Sequence, residues 1–157
     1  MSGLALRRAV PGDAELLAII SQRAFDSDVA IGAPGPGGPP GYTDPEWQRS
    51  MMNRGDYLCL TLGDAIVGGA IVFDMEPGHH DIGRIFLDPD HHRKGLGSQA
   101  MRLVMARYPK VRRWTLDTPA WNTRTRAFYE QLGFTEYGRR PVGGDFELIL
   151  YELRAGA

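Results

Sequence analysis

The chain is poor in the features that mark secreted, membrane or nucleic-acid-binding proteins. Its 157 residues include a single cysteine, Cys59, so no internal disulfide can form, which is typical of a reducing compartment. A net charge of −1 gives no electrostatic footprint for nucleic acid or for an anionic membrane. No apolar run is long enough to cross a bilayer, and charges interrupt the apolar positions of residues 1–20 in a way that excludes a signal peptide. We therefore expect a cytoplasmic protein with no nucleic-acid or membrane partner.

Length and composition predict one globular domain over residues 1–157, because 43% of the chain is hydrophobic and this length can bury a full core. Periodicity and turn residues predict the order β-α-α-β-β-β-α-β-α-β-β. Asp13 is placed to cap the first helix, whose predicted buried face consists of Leu16, Leu17, Ile20 and Ala24.

A stretch rich in glycine and proline interrupts this pattern. Residues 32–41 comprise five glycines, four prolines and one alanine, a composition that cannot build a core. A long loop inside a compact domain is more often a lid or part of a site than a linker, so we expect this loop to border the active site.

The stretch from Ile82 to Met105 reads as a strand, a sharp turn and a helix. Pro89 ends the strand because proline cannot extend a hydrogen-bonded ladder. Leu96 and the apolar residues after it recur at helical spacing. In the turn, Gly95 and Gly97 allow close approach of the backbone to a ligand, and the helix start offers free N–H groups. With two cations and a serine nearby, this predicts an anion site suited to phosphate; the alternative is a turn whose glycines serve packing.

A second motif lies at residues 116–134. Asn122 is a favourable N-cap, and Gly133 follows at the position where a helix commonly ends in the left-handed conformation. Tyr129 lies seven residues after Asn122, about two turns, so both should face the same side of the helix.

Together the two motifs resemble those of the GNAT superfamily of acetyl-CoA-dependent N-acetyltransferases. The first family motif is Gln or Arg, two residues, Gly, one residue, then Gly or Ala; Gly95 and Gly97 match it, whereas His92 departs at the first position and Arg93 comes one place late. The second family motif is Asn, six residues, Tyr, then Leu-Gly-Phe. The predicted order of elements is also that of the family.

This resemblance implies a fold of the α/β (α+β) class: a mixed, mostly antiparallel sheet of about seven strands, with flanking helices and two splayed central strands. It implies acetyl transfer from acetyl-CoA, as co-substrate, to a primary amine by direct attack in a ternary complex. The N–H of Leu87 would polarise the acetyl carbonyl, Asn122 would contact the pantetheine arm, and Tyr129 would protonate the departing thiolate. The expected pyrophosphate site comprises His92, Arg93, Lys94, Gly95, Leu96, Gly97 and Ser98.

The general base is less well defined by the sequence. Asp81 lies six residues before Leu87, where some family members have a catalytic glutamate, but a straight strand would separate the two residues by roughly 20 Å. A bulge or a chain of waters is therefore required. Asp117 and His80 are alternatives, and the amine could also arrive already neutral.

Other polar residues carry weaker expectations. His79, His80, His91 and His92 are expected to be solvated loop residues without a metal ion, because adjacent strand residues face opposite sides. Cys59 is expected to be a small core residue. Four carboxylates in regions expected to face the acceptor favour a cationic amine: Asp26, Asp28, Asp44 and Glu76.

The alternative function is a non-catalytic CoA-binding regulatory or interaction module of the same fold. The presence of both Asn122 and Tyr129 favours the enzyme. The expected partners are acetyl-CoA and an unidentified amine acceptor, and a homodimer is left open.

Overall fold

The protein is built on a seven-stranded mixed sheet with helices on both faces. The structure, a computed structural model, describes residues 3–28, 33, 37–92, 95–144 and 146–155. The strands are β1 (Leu4–Arg8), β2 (Asp56–Leu62), β3 (Ala65–Glu76), β4 (His79–Leu87), β5 (Arg113–Pro119), β6 (Thr135–Val142) and β7 (Phe146–Arg154). The helices are α1 (Ala14–Asp26), α2 (Pro45–Arg54), α3 (Leu96–Ala106) and α4 (Thr123–Gln131). The predicted fold class is confirmed, and no helix within the described ranges is long and apolar enough to cross a membrane.

The strand order is β1-β2-β3-β4-β5-β7-β6, in which only β4 and β5 run parallel. These two central strands pair over three residues each, from His79 to Asp81 and from Arg113 to Thr115. Beyond Asp81 the ladder ends while both strands continue, so the strands separate into a wedge. The splayed central strands expected from the sequence are present.

A bulge in β4 lies inside the wedge. Ile71 of β3 is opposite Arg84, but the next residue, Val72, is opposite Ile82, so Gly83 is the extra residue. A Cβ atom at Gly83 would lie 2.3 Å from the ring of Phe73, which is far closer than van der Waals contact. Glycine is therefore required here, and the bulge falls between Asp81 and Leu87, where the sequence argument required an irregularity.

The core occupies both faces of the sheet. Helices α3 and α4 cover one face, whose buried side chains include Met101, Val104, Trp114, Phe134 and Tyr151. Helices α1 and α2 cover the other face, whose buried side chains include Leu17, Ile20, Met51, Tyr57, Ile71 and Phe86. Because each face of the sheet has its own apolar layer, the wedge between β4 and β5 lies between two layers of packed helices.

Two local predictions for α1 are wrong. Asp13 precedes the helix, but its side chain makes no capping bond. Instead its carboxylate accepts hydrogen bonds from the Arg7 guanidinium at 2.8 and 2.9 Å and from the Val10 N–H at 2.8 Å. Leu16, expected to be buried, is 45% exposed, because the sheet-facing stripe of the helix runs through Leu17 and Ile20. The charged partner on β1 holds the carboxylate of Asp13 away from the helix start, and the position of the sheet decides which side of α1 is buried.

A short turn joins α3 to β5. Helix α3 ends at Ala106, and the hydroxyl of Tyr108 just beyond it donates to Asp56 at 2.9 Å. Strand β5 begins at Arg113. Within the glycine- and proline-rich loop, residues 32 and 34–36 lie outside the described residues.

Candidate active site

The first of two cavities lies beside the start of α3 and has a volume of about 440 Å³. Its walls come from α1, β4, α3 and α4. The residues of the predicted donor site that line it are Leu87, His92, Gly95, Gly97, Ser98 and Tyr129. Arg93 and Lys94, predicted to contribute positive charge here, lie outside the described residues. Leu96 opens α3 between the two glycines.

The start of α3 presents backbone donors without a side-chain cap. Gly95 is the N-cap with φ of +74°, a left-handed conformation that favours glycine. The first hydrogen bond along the helix runs from the N–H of Gln99 to the carbonyl of Gly95, at 3.3 Å. The N–H groups of residues 96–98 therefore precede the first intrahelical bond and carry the positive end of the helix dipole. A Cβ atom at Gly97 would lie 3.4 Å from the ring of Phe128, an ordinary van der Waals contact.

The backbone of Leu87 is oriented by its neighbours. The N–H of Asp88 bonds to the carbonyl of Val67 at 2.7 Å, on the β3 side. Because successive N–H groups of a strand point to opposite sides, the N–H of Leu87 points away from β3, toward the opening of the wedge. The carbonyl of Leu87 accepts a hydrogen bond from Nε2 of His92 at 2.8 Å. His92, which departs from the family motif, thus fixes the end of β4.

The second cavity fills the wedge and has a volume of about 680 Å³. It lies between β4 and β5, with residues 37–40 of the glycine- and proline-rich loop on one side and Arg140, Val142, Phe146 and Leu148 of β6 and β7 on the other. Residues 37–40 of the loop therefore border this cavity, and a role of the loop in the active site stays a prediction. Five residues line both cavities and form their junction: Phe25, Asp28, Ile85, Thr125 and Tyr129.

Tyr129 and Asn122 face the same side of α4, as their spacing predicted. Tyr129 is 8% exposed, and burial raises the pKa of its hydroxyl, with the negative charges of Asp117 and Asp28 adding to the shift. Asn122 caps α4 by accepting the N–H of Thr125 at 3.1 Å, and its buried side chain lines the second cavity. The predicted cap is present, and the tyrosine lies where the two cavities meet.

The three candidate bases occupy different environments. Asp117 lines the second cavity, where its side chain is 44% exposed and lies 3.5 Å from Arg140. Burial in the cavity wall raises the pKa of Asp117, and the charge of Asp81 raises it further. His80, by contrast, packs against Tyr108 and Trp114, with ring centroids 4.9 and 5.7 Å away.

Asp81 lies at the last paired position of β4, where the wedge begins. Its carboxylate accepts the hydroxyl of Thr115 at 2.6 Å, and Thr115 in turn contacts Nε2 of His79 at 2.8 Å. Burial raises the pKa of Asp81, although the bond from Thr115 opposes the shift. Asp81 is absent from the described walls of both cavities.

The side chains of His79, His80 and Cys59 lie largely inside the protein. The side chains of His79 and His80 are only 14% and 16% exposed, so the expectation that they are solvated is wrong. Within the described ranges, no group of three or more His, Cys, Asp or Glu side chains is arranged to hold a metal ion. Cys59 is fully buried, and burial raises the pKa of its thiol to about 11.

Most of the carboxylates expected to face the acceptor have other roles. Asp26 accepts the hydroxyl of Tyr42 at 2.8 Å, Asp44 caps α2, and Glu76 lies 3.8 Å from His79. Only Asp28 of the four lines a cavity. The charge count that favoured a cationic acceptor therefore does not describe the cavity.

Sequence reasoning missed three polar residues of the second cavity: Arg84, Trp121 and Arg140. Arg84 could have been noticed, because residues 82–87 of this central strand are otherwise apolar and an arginine among them is unusual. Trp121 and Arg140 gave no such signal, since each reaches the wedge only through the placement of α4 and β6.

Comparisons with known proteins identify the class of protein that this fold and site define. A family model described as the acetyltransferase (GNAT) family matches residues 25–134, well over half of the chain. The chain therefore belongs to the acetyltransferase (GNAT) family. The membership and the acyltransferase class predicted from the two motifs are confirmed.

One curated relative matches part of the chain. The uncharacterized protein YrkN of Bacillus subtilis (strain 168) is 31% identical over 89 residues, which are 55% of this chain and 48% of that protein. The chain thus spans about half the length of this curated relative.

Solved structures share the fold. An acetyltransferase from Thermus thermophilus has a TM-score of 0.78 at 23% identity, covering 99% of this chain and 100% of that one. A GNAT family acetyltransferase from Elizabethkingia anophelis, solved with acetyl-CoA bound, has a TM-score of 0.67 at 14% identity, covering 97% of this chain and 98% of that one.

Proposed function

We propose that this protein transfers an acetyl group from acetyl-CoA to a primary amine by direct attack within a ternary complex. The observation that carries the proposal is that two cavities meet at Tyr129, one beside the start of α3 and the other inside the wedge. In this arrangement the thioester enters from the first cavity and the amine from the second. Bringing the two reactants together at one junction converts a bimolecular step into one within the complex.

The first cavity is the proposed donor site. The N–H groups of residues 96–98 and the dipole of α3 favour a pyrophosphate at this helix start, since no side chain occupies the N-cap. Arg93 and Lys94, adjacent in sequence, add positive charge in this proposal. Asn122 lines the second cavity, so its proposed contact with the pantetheine arm requires the arm to reach past the junction at Tyr129.

The N–H of Leu87 is the proposed polariser of the acetyl carbonyl. Its direction, away from β3 and toward the wedge, supports an oxyanion-type contact with charge that develops on the carbonyl oxygen. The hydrogen bond from His92 to the Leu87 carbonyl supports the same role, because it holds the end of the strand in place.

Tyr129 is the proposed acid. Its raised pKa keeps the hydroxyl protonated at neutral pH, so it can donate to the departing thiolate. Its position at the junction supports this role more strongly than its identity alone.

The base is proposed to be one of two coupled carboxylates, Asp81 or Asp117. Asp117 is favoured because it lines the second cavity and because its raised pKa makes the deprotonated carboxylate a stronger base. If Asp117 is the base, Asp117→Asn should remove the acidic limb of the kcat/KM profile. Asp81→Asn should instead move that limb to lower pH, because it removes the charge that raises the pKa of Asp117. The opposite pattern would assign the base to Asp81.

Direct attack is favoured over an acyl-enzyme because the chain has one cysteine and that residue is inaccessible. Cys59 is fully buried and its thiol pKa is raised to about 11, whereas a nucleophilic cysteine needs an accessible thiolate. The cytoplasmic location expected from the sequence remains a prediction, and the same is true of a homodimer.

The test is free-thiol release from acetyl-CoA with a panel of primary amines, followed by mass analysis of the products. We expect acetylated amine and intersecting initial-rate lines, and Cys59→Ala should retain activity. Parallel lines would contradict the ternary complex. Stabilisation by acetyl-CoA without acetylation of any amine would instead indicate the non-catalytic CoA-binding module.

A further inference from the structure

Arg84 is a cation that lines the second cavity and has no carboxylate partner among the described residues. It follows the Gly83 bulge in β4. Its guanidinium lies 4.0 Å from the ring centroid of Trp47, and Nη2 donates to the carbonyl of Pro40. The other terminal nitrogen, Nη1, is buried and has no hydrogen-bond partner in the described part of the chain.

A partly buried guanidinium without an ion-pair partner is costly, so its retention calls for an explanation. Burial lowers the pKa of Arg84 to about 10, which still leaves it charged at neutral pH. The charge of Asp117 opposes this shift, but both cavity carboxylates have another arginine as their ion-pair partner. Asp28 lies 3.7 Å from Arg124, and Asp117 lies 3.5 Å from Arg140.

A second donor in the same cavity also lacks a partner among the described residues. The indole Nε1 of Trp121 is buried, lines the cavity and makes no hydrogen bond to any of them. Both unsatisfied groups are donors only, so they are complementary to a ligand that supplies acceptor oxygens. Much of the remaining wall is apolar and includes Phe25, Ile82, Leu116, Val142, Phe146 and Leu148.

We infer that the acceptor is an amine that also carries a carboxylate on an apolar body, and that Arg84 binds this carboxylate. The inference rests on the proposed function and names the class of its acceptor. A guanidinium binds a carboxylate through two parallel hydrogen bonds, which would satisfy Nη1 and replace the contact to Pro40 once residues 37–40 shift. Apolar side chains would enclose the body of the acceptor, and its amine would reach the junction at Tyr129.

The geometry also limits the length of the acceptor. Arg84 precedes Leu87 by three residues, which is about 10 Å along an extended strand. The carboxylate and the reacting amine are therefore separated by several bonds. A polyamine would instead bring a second ammonium toward Arg84, and this like-charge contact should disfavour it.

The test uses probes matched in length: 6-aminohexanoate, its amide, hexylamine and spermidine. Hydrogen bonds between charged groups are strong enough that we expect kcat/KM for 6-aminohexanoate to exceed that for its amide about tenfold or more. Arg84→Met should abolish this preference while hexylamine is acetylated as before. Arg84→Lys, which keeps the charge but loses the fork, should retain part of the preference. Arg154→Met is the matched control, because Arg154 is 74% exposed and is absent from the described walls of both cavities.

A binding measurement makes the result independent of turnover. Hexanoate, which lacks the amine, should bind to the CoA-loaded wild type and to Arg154→Met but not to Arg84→Met. Equal binding to all three proteins, no binding to any, or a wild-type preference for spermidine overturns the inference. Failure of every amine to release thiol, with hexanoate binding still dependent on Arg84, would refute the proposed function and leave the carboxylate site standing.

Discussion

Replacement of Tyr129 by phenylalanine isolates the proposed acid, because it removes only a hydroxyl from the junction of the two cavities. The ring lies in an aromatic cluster, with centroids 5.3 Å from Phe128, 5.9 Å from Phe134 and 6.3 Å from Tyr151. These contacts do not involve the oxygen. The substitution therefore tests chemistry with little change in packing.

The expected size follows from the acidity of the two partners. The departing thiol resembles that of cysteine, with a pKa near 8.5, so the thiolate is already a tolerable leaving group. Burial and the charges of Asp117 and Asp28 raise the pKa of Tyr129 above its ordinary value, which makes complete proton transfer less favourable. Placed proton transfer is typically worth about 10²–10⁴-fold, and we expect the low end. Tyr129→Phe should lower kcat by about 10²-fold, or about 2.7 kcal/mol in the barrier.

Tyr151→Phe is the matched control. Tyr151 is also a buried tyrosine, but its hydroxyl donates to Glu130 at 2.7 Å and it is absent from the described walls of both cavities. This control should lose roughly 1 kcal/mol of stability and keep its activity. Tyr129→Phe should behave in the opposite way, with a nearly unchanged melting temperature.

The assay is single-turnover transfer from acetyl-CoA, monitored by thiol release, with the melting temperature measured in parallel. The KM for acetyl-CoA should change little, since the hydroxyl acts on the transition state and not on ground-state binding. If Tyr129→Phe transfers acetyl as fast as the wild type, Tyr129 is only a core aromatic residue and the assigned acid is wrong.

Three further predictions test the donor site, the loop and the carboxylates. Gly97→Glu adds a side chain and a like charge at the pyrophosphate, so it should abolish the stabilisation of the protein by acetyl-CoA. The control Gly144→Glu should not, because a Cβ atom at Gly144 meets nothing within 4 Å. Equal stabilisation of both variants would move the donor site elsewhere. Replacing residues 34–40 by a short Gly-Ser bridge should change the KM for the amine several-fold and leave acetyl-CoA binding intact, because residues 37–40 line only the second cavity. If neither quantity changes, the loop has no role in binding either substrate. Burial raises the pKa of Asp117, so the folded state favours its protonated carboxyl. The protonated carboxyl therefore contributes stability at low pH, and this contribution is lost as the pH rises through the pKa of the folded state. Asp117→Asn should therefore raise the melting temperature at neutral pH but not at pH 3, and thermal melts at both pH values check this.

The donor motif was readable from the sequence because its geometry is local. Gly95 has the left-handed conformation that glycine permits, Asn122 caps α4, and the spacing from Asn122 to Tyr129 is a property of the helix itself. Each of these features depends on residues within two turns of one another. The order of elements followed from similar short-range patterns, whereas the class of fold followed from the family resemblance of the two motifs.

The acceptor cavity could not be predicted in the same way, because long-range pairing builds it. Strand β7 lies between β5 and β6, and this placement brings Arg140 of β6 to within 3.5 Å of Asp117 on β5. No local pattern indicated that Asp26 would bind Tyr42 while Arg84 would lack a carboxylate partner among the described residues.

The sequence by itself determined where a glycine-rich helix start, a capped helix and a tyrosine occur along the chain, since backbone conformation and helical periodicity set them. Only the tertiary structure decided that β4 and β5 part after Asp81, that the bulge at Gly83 lies within the wedge, and that Tyr129 is at the junction of two cavities. The physical reason is that charge pairing and burial depend on which distant strands become neighbours. That choice belongs to the packing of the whole sheet.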